Sequence, residues 1–265
     1  MVMRPALINV MAKAAEKAGK GLRRDFGEIE HLQVSRKGQA DFVSTADLKA
    51  QKILREELGK ARPSFGFYME EEDGEDSRTT SGDRWIVDPL DGTTNFLHGV
   101  PHWCISIAAE RDGEVVAGLI YNPINDEMFW AEKGIGAYCS NQRIRVSGRT
   151  DLSECLIATG LMFRGNKRAP ADVLKELAAV MPHLAGIRRA GSAALDMAYV
   201  AAGRYDGYWE CGLGSWDVAA GYLLVKEAGG FVSPMKKGQN PVRDASVIAT
   251  NSAIHDKIVK LLQQA

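Results

Sequence analysis

Cysteine is scarce, neither sign of charge is in surplus, and no long apolar run occurs; each shortage removes a class of protein. The 265 residues include four cysteines, at 104, 139, 155 and 211, with no C-x-x-C pair. That spacing offers neither a common zinc motif nor a small disulfide framework, so the thiols read as reduced, mostly core-filling groups of a cytoplasmic protein. Lysine and arginine total 33 against 34 acids, a formal net charge of −1. Polyanion binding draws on surplus cations that displace counterions, so nucleic acid is not an expected general partner. A phosphorylated small molecule stays open, because a metal ion can supply positive charge locally. No stretch approaches the roughly 20 apolar residues of a membrane helix. Met1–Val10 carries one cation and a short apolar run that Lys13 and Glu16 soon break, which does not read as a secretion signal. Repeats and low-complexity linkers are absent, and the five histidines are scattered, so none is assigned a metal or catalytic role.

Apolar content of 45% and charged content of 25% are those of a globular chain, long enough for one large domain or two packed halves. Leu7, Ile8, Met11, Ala15, Ala18 and Leu22 recur at helical spacing and predict a helix over about 5–26. Ser44 and Thr45 are N-cap candidates for a second helix through Leu58. Phe65–Met69 reads as a short strand, 74–82 as a solvated loop, and Trp85–Val87 as a buried strand ending at Asp88-Pro89. From Cys104 to Val146 alternation predicts an antiparallel meander, with Asp112-Gly113 as a hairpin turn. Strands then alternate with helices: strands at 156–158, 205–210, 231–232 and 246–249, helices at 171–180, 192–202, 215–228 and from about Ser252. The chain therefore reads as one domain, 1–265, with an α+β half over about 1–148 and an α/β half over about 149–265, expected to share one cleft.

Acids cluster where strands end or helices begin, the places where ligand sites form in α/β proteins. Asp88 and Asp91 flank Pro89 in the run Asp88-Pro89-Leu90-Asp91-Gly92-Thr93-Thr94. Two carboxylates turned the same way repel unless a cation lies between them, and oxygen donors without imidazole or thiolate favour magnesium. The same run also reads as a Pro-Asp-Gly turn with solvated acids. Glu70–Asp76 holds six acids in seven residues, which suits a solvated face, although Glu70 comes directly off an apolar run. Asp217 can be a site ligand or simply an acid in the first turn of a helix.

These residues resemble a known family. Trp85-Ile86-Val87-Asp88-Pro89-Leu90-Asp91-Gly92-Thr93-Thr94-Asn95-Phe96 is similar to the DP(I/L)DGTxNF signature of inositol monophosphatases, and Trp216-Asp217-Val218-Ala219-Ala220-Gly221 to their WDxAAG signature. Gly191-Ser192-Ala193-Ala194 and Asp41–Asp47 match two further segments, in order, from about residue 5 to the C-terminus. The run from Gly191 through Tyr205-Asp206-Gly207 is similar to bacterial members of the extragenic-suppressor type. One departure is Met69-Glu70-Glu71 where the family has Gly-Glu-Glu; Glu70 is aligned with the first family glutamate.

The resemblance implies a layered α-β-α-β-α sandwich, of the kind shared with fructose-1,6-bisphosphatase, and a homodimer. It implies a magnesium-dependent phosphomonoesterase that hydrolyses myo-inositol monophosphate by direct attack of metal-activated water, with lithium sensitivity. Two to three Mg2+ are implied per site: the first on Glu70, Asp88 and the Leu90 carbonyl, the second on Asp88, Asp91 and Asp217, and a weaker third leaning on Glu70. Catalytic roles fall to Asp47, Thr93 and Glu70, with Asp47 and Thr93 orienting and deprotonating the water. Substrate contacts fall to Asp91, Gly92, Thr93, Gly191, Ser192, Ala193, Glu210 and Asp217. The alternatives are a fructose-1,6-bisphosphatase, a broader sugar-phosphate, histidinol-phosphate or 3′-phosphoadenosine-phosphate phosphatase, and a regulatory partner of RNA polymerase. For the last, Arg164, Lys167, Arg168, Arg188 and Arg189 supply small basic clusters that also read as solvated surface.

Overall fold

The helical spacing of apolar residues near the start does place Leu7, Ile8, Met11, Ala15, Ala18 and Leu22 on the buried side of α1 (Ala6–Phe26). This computed structural model describes residues 3–28, 34–37, 41–70, 82–161 and 169–265. A β1 (Val34–Lys37) and β2 (Asp41–Ser44) antiparallel pair precedes α2 (Thr45–Ala61). The sequence reading had no strands here, because both are short and lack alternation.

Seven strands then form one sheet in chain order: β3 (Gly66–Met69), β4 (Arg84–Asp91), β5 (Cys104–Arg111), β6 (Glu114–Asn122), β7 (Glu127–Glu132), β8 (Gly136–Cys139) and β9 (Gln142–Arg143). Only β3 and β4 are parallel; every later pair is antiparallel. Asp112 and Gly113 both have positive φ, 52° and 80°, as a two-residue hairpin turn between β5 and β6 demands. The expected strand end at Asp88-Pro89 is corrected: β4 continues to Asp91 through a register shift between Asp88 and Asp91. Proline has no N–H for the ladder, so Pro89 sits in this irregular stretch instead of ending the strand.

The remaining α-helices and strands among the described residues are the five-residue α3 (Thr93–Leu97), β10 (Leu156–Thr159), α4 (Pro170–Val180), β11 (Gly186–Arg188), α5 (Ala193–Ala201), β12 (Gly207–Cys211), α6 (Ser215–Glu227), β13 (Phe231–Ser233), β14 (Ser246–Thr250) and α7 (His255–Gln263). Their strands form a second sheet, ordered β11-β10-β12-β14-β13. It is mixed: β11, β10 and β12 run parallel, whereas β14 pairs antiparallel with both β12 and β13. Two sequence boundaries move. The strand expected from Tyr205 begins at Gly207, and the last helix begins at His255, because the Asn251 side chain first accepts from the Ala253 and Ile254 amides in a turn.

Three buried clusters separate five layers. One lies between α1/α2 and the large sheet, a second holds α5 and α6 between the two sheets, and a third packs α4 and α7 against the small sheet. This is the α-β-α-β-α sandwich. All four thiols are free, with Cys104 and Cys155 buried. Among the described residues no helix is long and apolar enough to cross a membrane. The expected loop at 74–82 lies outside the described residues except for Gly82, as do Arg164, Lys167 and Arg168.

Candidate active site

Register alone brings the first acids together. The parallel pairing Met69↔Val87 sets Glu70, just beyond β3, beside Asp88 on β4. On the other side, Asp88 pairs with Ser106 of β5, whose hydroxyl donates to the Trp216 carbonyl at 3.0 Å. That bond moors the start of α6 against β5, and Asp217 follows in its first turn. Ligand oxygens of Asp88, Asp91 and Asp217 all lie within 4.8 Å of one another.

Each carboxylate is held by donors. Asp88 Oδ1 accepts from the Leu90 amide at 2.8 Å, and Asp217 Oδ2 from the Gly214 amide at 2.7 Å. Asp91 Oδ2 accepts from Ser192 Oγ at 2.6 Å and from the Ala194 amide, at the N-terminus of α5, at 2.8 Å. The Cys104 thiol adds a longer contact to the same oxygen at 3.7 Å. Asp91 Oδ2 thus carries two hydrogen bonds and the thiol contact. Ser192, expected to meet substrate, lines the cleft, is 1% exposed and donates its hydroxyl to Asp91.

Burial and mutual repulsion govern the charges. Burial first, then the charges of Glu70, Asp91 and Asp217, push Asp88 well above the ordinary carboxylate range, against the opposing Leu90 amide. Burial, with Asp91 beside it, pushes Asp217 up to about 8. Asp91 is also raised by burial, although Ser192 and Ala194 oppose the shift. The cleft, about 210 Å³, is lined among the described residues by Glu70, Asp88, Asp91, Asp196, Glu210 and Asp217, with Arg189 the one cation.

Leu90, Gly92, Thr93, Gly191, Ala193 and Glu210 also line it. Gly92 caps α3 with φ 96°, and a Cβ there would stand 3.1 Å from the His102 carbonyl, so the turn admits little else. Thr93 Oγ1 donates to the Leu90 carbonyl at 3.0 Å. Glu210 accepts from the buried Tyr208 hydroxyl, and burial pushes its carboxyl up to about 7. Asp47 is buried in the first turn of α2.

Two side-chain ties at the cleft had no role assigned from the sequence. His102 Nε2 lies 3.0 Å from Asp196 Oδ1 of the cleft lining, although His102 read as one of several scattered histidines and Asp196 as an ordinary helix residue. Asn95 Nδ2 donates to the carbonyls of His102, at 2.7 Å, and Ala190, at 2.8 Å, joining the α3 turn to the turn before α5. Asn95→Ala strands both acceptors and is expected to cost about 1–3 kcal/mol of stability, read by urea unfolding. A loss below about 0.5 kcal/mol would contradict this tie.

Hard oxygen donors, buried and mutually repelling, suit a divalent cation such as magnesium better than zinc or copper. A sequence profile for the inositol monophosphatase family matches residues 4–265. An inositol-1-monophosphatase of Mesorhizobium japonicum is 53% identical over 264 residues, covering 98% of this chain and 97% of its own. A Nus factor SuhB of Xylella fastidiosa is 43% identical over 244 residues, covering 91% and 86%. The crystal structure of the extragenic suppressor protein suhB from Bartonella henselae matches with a TM-score of 0.93 at 53% identity, covering 98% and 100%.

Proposed function

The chain belongs to the inositol monophosphatase family, and on that premise we propose that it is a Mg2+-dependent phosphomonoesterase that hydrolyses myo-inositol monophosphate to inositol and phosphate. The observation that carries this reading is the convergence of Asp88, Asp91 and Asp217, from β4 and α6, within 4.8 Å. Without a cation such a cluster repels a phosphate dianion. Asp88, Asp91 and Asp217 would hold one Mg2+, and Glu70, Asp88 and the Leu90 carbonyl another, with Glu70 also supporting a third. Bound magnesium supplies charge neutralisation of the ester and acidifies water.

The chain's own groups do the rest. Thr93 Oγ1, oriented by its bond to the Leu90 carbonyl, keeps lone pairs for a water proton, and Asp47 is the base that finally holds it. Amides at Gly92 and Thr93 face the phosphate oxygens. Gly191, Ser192, Ala193 and Glu210 meet the alcohol part, and Ser192 also holds Asp91. Several hydrogen bonds to hydroxyls give preference but not exclusivity, since water can replace a missing partner. The proposed state is a cytoplasmic homodimer.

Phosphate release from inositol 1-phosphate, fructose 1,6-bisphosphate, histidinol phosphate and 3′-phosphoadenosine 5′-phosphate, measured side by side, tests the reading. Inositol 1-phosphate is expected to be hydrolysed fastest, with activity stopped by EDTA and restored by Mg2+. Full activity in chelator, or a faster bisphosphate, would overturn it. A second reading, association with RNA polymerase, is favoured by the relatives named Nus factor SuhB.

A further inference from the structure

Glu210 reaches the cleft from an unusual resting place. Strands β10 and β12 are parallel with Thr159 opposite Trp209, so the next residues, Gly160 and Glu210, lie side by side. A Cβ on Gly160 would overlap the Glu210 carboxylate, which therefore occupies the space that any other residue at 160 would fill. Two residues before Glu210, and so on the same face of β12, Tyr208 is 1% exposed and its hydroxyl donates to Glu210 Oε2. Thr159 Oγ1 donates to the Trp209 carbonyl at 2.8 Å and locks the two strand ends together.

We propose that Gly160 and Tyr208 are positioning residues that seat the Glu210 carboxylate, so that the cleft prefers phosphate monoesters whose alcohol part presents hydroxyl donors to it. The inference rests on the reading above that Glu210 faces the substrate. One oxygen is occupied by the Tyr208 hydroxyl, and a carboxylate so oriented offers its remaining lone pairs as acceptors to neighbouring ring hydroxyls. A phenolic ester has no such donors and gains nothing from the seat. The overlapping atoms at Gly160 are the far end of a flexible side chain, so a methyl there moves the carboxylate and leaves the strands in place. Tyr208→Phe keeps the buried ring and removes only the donor.

Gly160→Ala and Tyr208→Phe are each expected to raise KM for inositol 1-phosphate about tenfold, with kcat changed less than about twofold. That matches the loss of a hydrogen bond to a charged group. KM for 4-nitrophenyl phosphate should not move, and circular dichroism should match the unsubstituted protein. In a double-mutant cycle, neither substitution should have a further effect once Glu210→Gln is present. If Glu210→Gln leaves KM for inositol 1-phosphate unchanged, the underlying reading of Glu210 fails and the inference with it. If Glu210→Gln raises KM but Gly160→Ala and Tyr208→Phe do not, the seat alone is refuted. Equal KM increases on both substrates, or additive effects in the cycle, also refute it.

Discussion

Asp91→Asn is expected to lower hydrolysis of inositol 1-phosphate by about a thousandfold, the upper range for deleting one preorganised group at developing charge. The geometry makes the replacement severe despite its small volume. Asp91 Oδ2 is surrounded by donors, the Ser192 hydroxyl and the Ala194 amide. An asparagine would turn its carbonyl oxygen to those donors, leaving its NH2 pointed at the cation site. Donor hydrogens would then face a cation, and one formal charge would be lost. Folding should survive, because the amide still satisfies Ser192 and Ala194. Turnover within tenfold of the unsubstituted enzyme would sink the metal assignment. The same inactive variant separates the two functional readings: if it still co-purifies with RNA polymerase, any regulatory role is independent of hydrolysis.

Stability of the metal-free protein is expected to fall as pH rises from about 5 to 8. Asp217, at about 8, and Asp88 and Asp91, also raised, bind protons in the folded state at pH values where the unfolded carboxyls, with pKa near 4, have lost them. The folded state thus holds more protons, so unfolding free energy declines with pH between the unfolded and folded pKa values and levels off above them. Magnesium pairs with the ionised carboxylates and reverses the penalty. At pH 8, saturating Mg2+ should raise Tm by about 5 to 10 °C over the chelated protein, as ligation about a hundredfold above Kd provides. The gain should shrink at pH 5, where protons compete for the same oxygens. Thermal melts of EDTA-treated protein at several pH values measure both effects; a chelated Tm that rises toward pH 8 would contradict the buried acidic cluster.

Much of the fold was readable because its cues are local. Helical spacing located α1, the Asp112-Gly113 pair located the β5–β6 turn, and the segments around Asp88, Asp91 and Asp217 carried enough consecutive residues to identify the family. Short elements with weak patterns escaped, notably the β1–β2 pair and β11. The continuation of β4 through Pro89 escaped too, since a proline reads locally as a stop and only a neighbouring strand shows that the chain is still paired.

By itself the sequence determined the family, the layered fold through that family, and the identity of the acids that can meet a cation, because each of these is written in contiguous residues. Only the tertiary structure decided which oxygen of Asp91 its donors hold, that Ser192 donates to Asp91, that His102 pairs with Asp196, and that Gly160 makes room for Glu210. Those facts depend on strand register and on the packing of α5 and α6 between two sheets, which join residues more than a hundred positions apart and leave no trace in local spacing.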